Sequence, residues 1–161
     1  MLKYTNYSIC FQEVPNEVTL CFNISNCQIR CKDCHSKYLW EDIGNPLISD
    51  IIDILDNYKN YISCVCFMGG THDTAQLKSL LDIVKTFNLK TCVYTGEDYS
   101  NKLDILLDSL DYLKVGPYID DFGGLNKKTT NQKFYKIVKN NLIDKTYLFW
   151  KEDINDNSAK S

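Results

Sequence analysis

Apolar and polar positions along this chain switch between a strand-like and a helix-like period, and the switches outline its elements. Val18-Thr-Leu-Cys-Phe-Asn-Ile24 is β-rich and stops at the turn signal Ser25-Asn26. Ile51, Ile52, Leu55 and Tyr58 then form one helical stripe, with Ser49 or Asp50 placed to cap it. Ile62–Met68 is a nearly continuous apolar run, as in a strand covered on both faces, and Gly69-Gly70 breaks it. Leu77, Leu80, Leu81, Val84 and Phe87 recur at helical spacing behind a cap at Asp73 or Thr74. Thr91–Thr95 predicts a third strand, stopped by Gly96. Leu103, Leu106, Leu107 and Leu110 mark a third, shorter helix, and Tyr112–Val115 a fourth strand, stopped by Gly116-Pro117.

This alternation predicts right-handed crossovers and a parallel sheet. Residues 120–132 are polar and read as a surface loop. Phe134–Val138 and Thr146–Trp150 predict two late strands joined around Asn140-Asn141. The expected fold is α/β: a partial, open β/α barrel with a mainly parallel sheet and late extra strands. It is expected to fill one domain, 1–152, followed by a polar, disordered tail at 153–161.

Composition changes this picture little. A chain of 161 residues, 44% apolar and 24% charged, fits one domain with a real core. The net charge of -3 gives no basic footprint, so no direct nucleic-acid binding is expected. Residues 1–12 lack a cationic start followed by an apolar run, and no apolar stretch is long enough to span a bilayer. A cytoplasmic location, with no membrane partner, is the expectation.

Cysteine usage changes it a great deal. Of eight cysteines, Cys64, Cys66 and Cys92 sit inside apolar runs and read as core, as do Cys10 and Cys21. Only Cys27, Cys31 and Cys34 stand in polar, loop-like sequence. Their C-x3-C-x2-C spacing can put three thiolates on one compact inorganic centre. A [4Fe-4S] cluster normally takes four cysteines, so three leave one iron open to bind a small molecule.

Other centres are conceivable. His35 could complete a Cys3His zinc set, but it adjoins Cys34, an awkward spacing for two ligands of one tetrahedral ion. Residues 31–35 also match the C-x2-C-H haem-attachment pattern, which leaves Cys27 unexplained. The chain breaks after the predicted strands, at 25–35 and at the glycine-containing 69–73, 95–97 and 116–118, would share one rim of a parallel sheet, where ligands bind.

C-x3-C-x2-C followed by a strand ending in Gly-Gly resembles the radical S-adenosylmethionine superfamily. Cys34-His35, Tyr94-Thr95-Gly96, Val115-Gly116-Pro117-Tyr118 and Thr130-Asn131-Gln132-Lys133 fall in the order of one small family within it. That family is the activating proteins of anaerobic ribonucleoside-triphosphate reductase, and the resemblance covers roughly residues 1 to 138.

The resemblance implies that Cys27, Cys31 and Cys34 bind a [4Fe-4S] cluster whose open iron chelates S-adenosylmethionine. Reduction would release a 5′-deoxyadenosyl radical, which takes a hydrogen from a glycine Cα of a separate reductase polypeptide. Asp33 and His35 would flank the cofactor, Gly69 and Gly70 would meet its methionine end, and Thr71, Tyr94 and Thr95 would complete the site. A low-potential donor, flavodoxin or ferredoxin, would supply the electron.

One departure stands out. The family usually follows its glycine pair with an acidic residue and proline, whereas this chain has Thr71-His72-Asp73. Thr71 can hydrogen-bond an amino group but adds no charge. Asp73 either supplies a carboxylate from two positions on or caps the next helix, and the helical pattern starting right behind it favours the cap. Activation of another glycyl-radical enzyme, and a non-catalytic iron–sulfur or zinc module for protein recognition, remain open alternatives.

Overall fold

A computed structural model describes residues 1–150. The tail expected from residue 153 lies outside them. The elements run β1 (Lys3–Cys10), β2 (Thr19–Ile24), β3 (Asn45–Pro46), α1 (Leu47–Tyr58), β4 (Cys64–Met68), α2 (Thr74–Thr86) and β5 (Lys90–Tyr94). A 3-10 helix, Asn101–Ser109, follows, then β6 (Tyr112–Val115), β7 (Lys133–Val138) and β8 (Asn141–Asp144). Short 3-10 turns cover Lys37–Trp40 and Thr146–Phe149.

One eight-stranded sheet, in the order β3-β1-β2-β4-β5-β6-β7-β8, organises the chain. Its centre, β2-β4-β5-β6, is parallel, and its flanks are antiparallel. Four of the seven strand pairs are antiparallel. The fold is therefore a mixed sheet, and the expected mainly parallel open barrel is wrong.

The reason lies in short connections. β1, which the sequence pattern did not reveal because its strongest apolar residues do not alternate, returns directly into β2. At the other edge, Lys139 and Asn140 both take positive φ (49° and 63°), as a two-residue hairpin turn requires. That turn makes 141–144 the last strand, while the expected strand at 146–150 is mostly a 3-10 turn. The third helix is likewise 3-10, and α1 begins at Leu47, with Ile54 buried and Ile52 exposed.

Alternation along the central strands separates two faces. Leu20, Phe22, Val65, Phe67, Val93 and Leu113 point to one side, where α1, α2 and the 101–109 helix cover them. Phe22 and Phe67 stack there with ring centres 5.7 Å apart. Each fully buried side chain of this size contributes about 1.5–3 kcal/mol. The opposite face carries Cys21, Cys64, Cys66, Cys92 and Phe134, covered by Val14, Leu125 and Phe149. Cys21, Cys66 and Cys92 stand in register on three adjacent strands.

Candidate metal centre

Four parallel strands deliver four chain breaks to one edge of the sheet. Hydrogen bonds lace these breaks together: Gly69 N–H donates to Tyr94 O at 2.8 Å, Thr95 N–H to Lys114 O at 2.9 Å, and Gly116 N–H to Glu97 O at 2.7 Å. Gly69, Gly70 and Gly116 have φ of 110°, 102° and 104°, a region that residues with a Cβ rarely adopt. The glycine breaks are thus conformational requirements of this edge.

The cysteine loop leaves β2 and is held at both ends. Asn26 N–H donates to Glu41 O and Cys27 N–H to Leu39 O, both at 2.9 Å, while Ser25 Oγ donates to Ile43 O at 2.5 Å. Asn26 and Arg30 take positive φ, turning the chain sharply on either side of Cys27. Cys34 N–H donates to Cys31 O at 3.1 Å, and Ser36 N–H points to Cys34 Sγ at 3.4 Å.

Across the rim, Asp120 N–H donates to Asp33 Oδ2 at 3.1 Å, and the His35 and Tyr118 rings meet edge-on at 4.9 Å. Asp33 and His35 thus tie the cysteine loop to the segment after β6. Gly96 ties it to the segment after β5: a Cβ there would stand 3.2 Å from Ile29 Cγ2 and 3.4 Å from Cys31 Sγ. The missing side chain at 96 lets the loop seat against the sheet edge.

Beneath the loop lies Lys114, 8% exposed, on the thiol-bearing face. Its Nζ donates to Gly116 O at 2.9 Å and Thr95 O at 3.3 Å. Burial pushes its pKa down to about 8, and the nearby Cys31 and Cys66 thiols work the other way. The charge also lies 5.9 Å from the centre of the Tyr94 ring. Lys114 and Gly96 are site residues that the sequence pattern did not assign. A lone lysine inside the apolar run 112–115 was the available signal.

The other expected residues gather nearby. Thr71 and Thr95, both buried, hydrogen-bond through their hydroxyls at 3.0 Å. Glu97 N–H donates to Thr95 Oγ1 at 3.1 Å. Burial favours the neutral Glu97 carboxyl, but hydrogen bonds from Lys102 and Thr71, with the Lys102 charge, outweigh it and hold the group below its ordinary range. Asp73 Oδ1 accepts from Gln76 N–H at 3.0 Å and is the N-cap of α2, as the helical pattern implied. Tyr94 is turned away from the loop, its hydroxyl donating to Glu13 O.

The donor set suits a multi-iron centre. No disulfide ties up the three loop thiols, and all three are partly exposed. Two sulfurs on one tetrahedral zinc ion stand about 3.8 Å apart, from Zn–S bonds of about 2.3 Å. Among the described residues, the one donor group with all its atoms within 4.8 Å of one another is Cys10, Glu13 and Cys21. The three loop sulfurs are not gathered that closely. The buried Lys114 cation next to Cys31 offsets the negative charge that iron–sulfide and three thiolates would bring.

Comparison with known proteins agrees on the cofactor class. No curated protein matches the chain. The family described as a 4Fe-4S single cluster domain matches residues 17–143, from the start of β2 into β8. No helix among the described residues is long and apolar enough to cross a membrane. With most of its length matched, including the cysteine loop and the whole parallel centre of the sheet, the chain belongs to the 4Fe-4S single cluster domain family.

Proposed function

We propose that this protein cleaves S-adenosylmethionine reductively at a [4Fe-4S] cluster held by Cys27, Cys31 and Cys34, and uses the chemistry to activate a glycyl-radical enzyme. The observation that carries the reading is the number of thiols. The loop offers three; of the other five, Cys64, Cys66 and Cys92 are completely buried and Cys10 and Cys21 lie on β1 and β2, outside the loop. When bound, such a cluster supplies one iron without a protein ligand and the electron that breaks a carbon–sulfur bond.

The chain's own residues have defined tasks in this reading. Cys27, Cys31 and Cys34 hold the cluster, and Ser36 N–H supports the Cys34 sulfur. Lys114 fixes a positive charge below Cys31. Gly69, partly exposed, offers backbone to the methionine end, Gly70 turns the chain over Leu2 and Leu77 behind it, and the Thr71–Thr95 hydroxyl pair, backed by Glu97, supplies polar atoms there. Asp33 closes the loop side by accepting from Asp120 N–H, and His35 by packing its ring edge-on against Tyr118. A cluster loop this open needs a partner to exclude water, and the reductase polypeptide carrying the target glycine fills that role. Its preferred target is an anaerobic ribonucleoside-triphosphate reductase, and a reduced flavodoxin or ferredoxin delivers the electron.

The test is anaerobic reconstitution with iron and sulfide, chemical reduction, addition of S-adenosylmethionine and chromatography for 5′-deoxyadenosine. Product in the wild type and none in Cys31→Ala supports the reading. A full iron load without product, even with the reductase present, overturns it. That outcome favours the second reading, a non-catalytic cluster module, which rests on Thr71 in the place of an acidic residue.

A further inference from the structure

The row of thiols on the covered face of the sheet does not end in the core. Cys92, Cys66 and Cys21 lie side by side on β5, β4 and β2. Beyond Cys21 the row reaches Cys10, the last residue of β1, which is partly exposed and not fully in the core as its sequence context suggested. The chain then turns at 11–14 and brings back Glu13. Cys10 Sγ, Cys21 Sγ and a Glu13 carboxylate oxygen all lie within 4.8 Å of one another.

We infer that Cys10, Glu13 and Cys21 form a second metal site, separate from the cysteine loop, which takes a thiophilic divalent ion of the zinc class. The donors are right for it: two soft thiolates and one carboxylate suit a tetrahedral ion without geometric preference. The sulfur spacing of about 3.8 Å that zinc requires falls inside the 4.8 Å within which these three atoms lie. The fourth position falls to water, which the partly exposed Cys10 and Glu13 side admits.

The surroundings are those of a supported site. Ser8 Oγ stands 3.5 Å from Cys10 Sγ, Gln12 N–H donates to Glu13 Oε2 at 3.3 Å, and the Tyr94 hydroxyl holds the Glu13 carbonyl. Among the described residues, the Glu13 carboxylate has no lysine, arginine or histidine partner. Partial exposure of Cys10 and Glu13 gives an ion a way in, and the thiol protons a way out. Cys10 and Glu13 precede the residues matched by the cluster-domain family, which begin at 17, and Cys21 lies inside them. An ion here would pin β1 and the 11–14 turn onto β2.

The test uses the full chain with Cys27→Ala, Cys31→Ala and Cys34→Ala, so that no loop thiol competes. It is titrated anaerobically with Co2+ and then Zn2+. The expected result is one equivalent of cobalt with a thiolate charge-transfer band, displaced by zinc. Cys10→Ser and Glu13→Gln, at partly exposed positions, should each weaken binding by about tenfold or more. Cys92→Ser, in the same row but outside the triad, should leave it unchanged. Absence of the band, or an equal band in Cys10→Ser, overturns the site. A parallel titration of cluster-loaded wild type, with zinc counted against iron by elemental analysis, decides the same question without the triple substitution: one zinc beyond the cluster iron supports the site, and none overturns it. Neither arm depends on S-adenosylmethionine chemistry.

Discussion

Two groups of cysteines share this small protein, and their surroundings give them opposite properties. Cys27, Cys31 and Cys34 stand on a polar, partly exposed loop at the edge of the sheet. Cys64, Cys66 and Cys92 lie within the central strands with no exposure at all. Burial pushes the thiols of Cys64, Cys66 and Cys92 up, so they stay protonated and behave as small apolar side chains. The same residue type therefore packs in one place and is free to ligate in the other. For these two groups, exposure on the loop against full burial in the strands decides which.

The sharpest way to break this contrast is to replace single cysteines in each group. Cys31→Ala should lower iron after reconstitution to background, while the far-ultraviolet circular dichroism stays that of the wild type. Iron retained at the wild-type level would mean that the loop does not hold the cluster. The next effect should come from the seat of the loop. Gly96→Val places side-chain carbon into Ile29 and Cys31, where even a Cβ has only 3.2–3.4 Å, and should cut cluster affinity by about tenfold. Its thermal midpoint should move far less than its iron content.

The strand group should answer in the reverse sense. Cys66→Ser puts a hydroxyl into a fully buried apolar site and should cost about 1–3 kcal/mol, read from denaturant unfolding. Iron per folded molecule should not change. The smallest effect sits between the groups. Lys114→Met removes the cation next to both Cys31 and Cys66 and should shift the cluster midpoint potential to more negative values, because the added electron loses a nearby positive charge. An unchanged potential in a fully loaded variant would show that Lys114 serves packing only.

Much of this arrangement was legible in the sequence, for physical reasons. Strongly buried runs such as Cys64–Met68, and helical stripes such as Leu77, Leu80, Leu81 and Val84, declare themselves because burial forces their period. The cap at Asp73 was legible because a short polar side chain precedes that stripe. The overall architecture was not legible. β1 and β8 are edge or near-edge strands with half-exposed faces, so their patterns are weak, and their antiparallel pairing is set by local turns. Around the candidate site, the spacing of Cys27, Cys31 and Cys34 drew attention to a loop that the structure holds at the C-terminal edge of the parallel strands. The fit of Gly96 under Cys31, and the meeting of Cys10 with Glu13 and Cys21, depend on contacts between distant segments or across a turn, which no local period encodes.

Whether three loop thiols leave one iron open can be read from electron paramagnetic resonance of the reduced, cluster-loaded protein before and after S-adenosylmethionine. A changed cluster signal on addition of the ligand is expected, in the wild type and in Cys92→Ser alike. A fully loaded cluster whose signal is identical with and without the ligand would mean that every iron already has its protein donor, and would contradict an open iron at this loop.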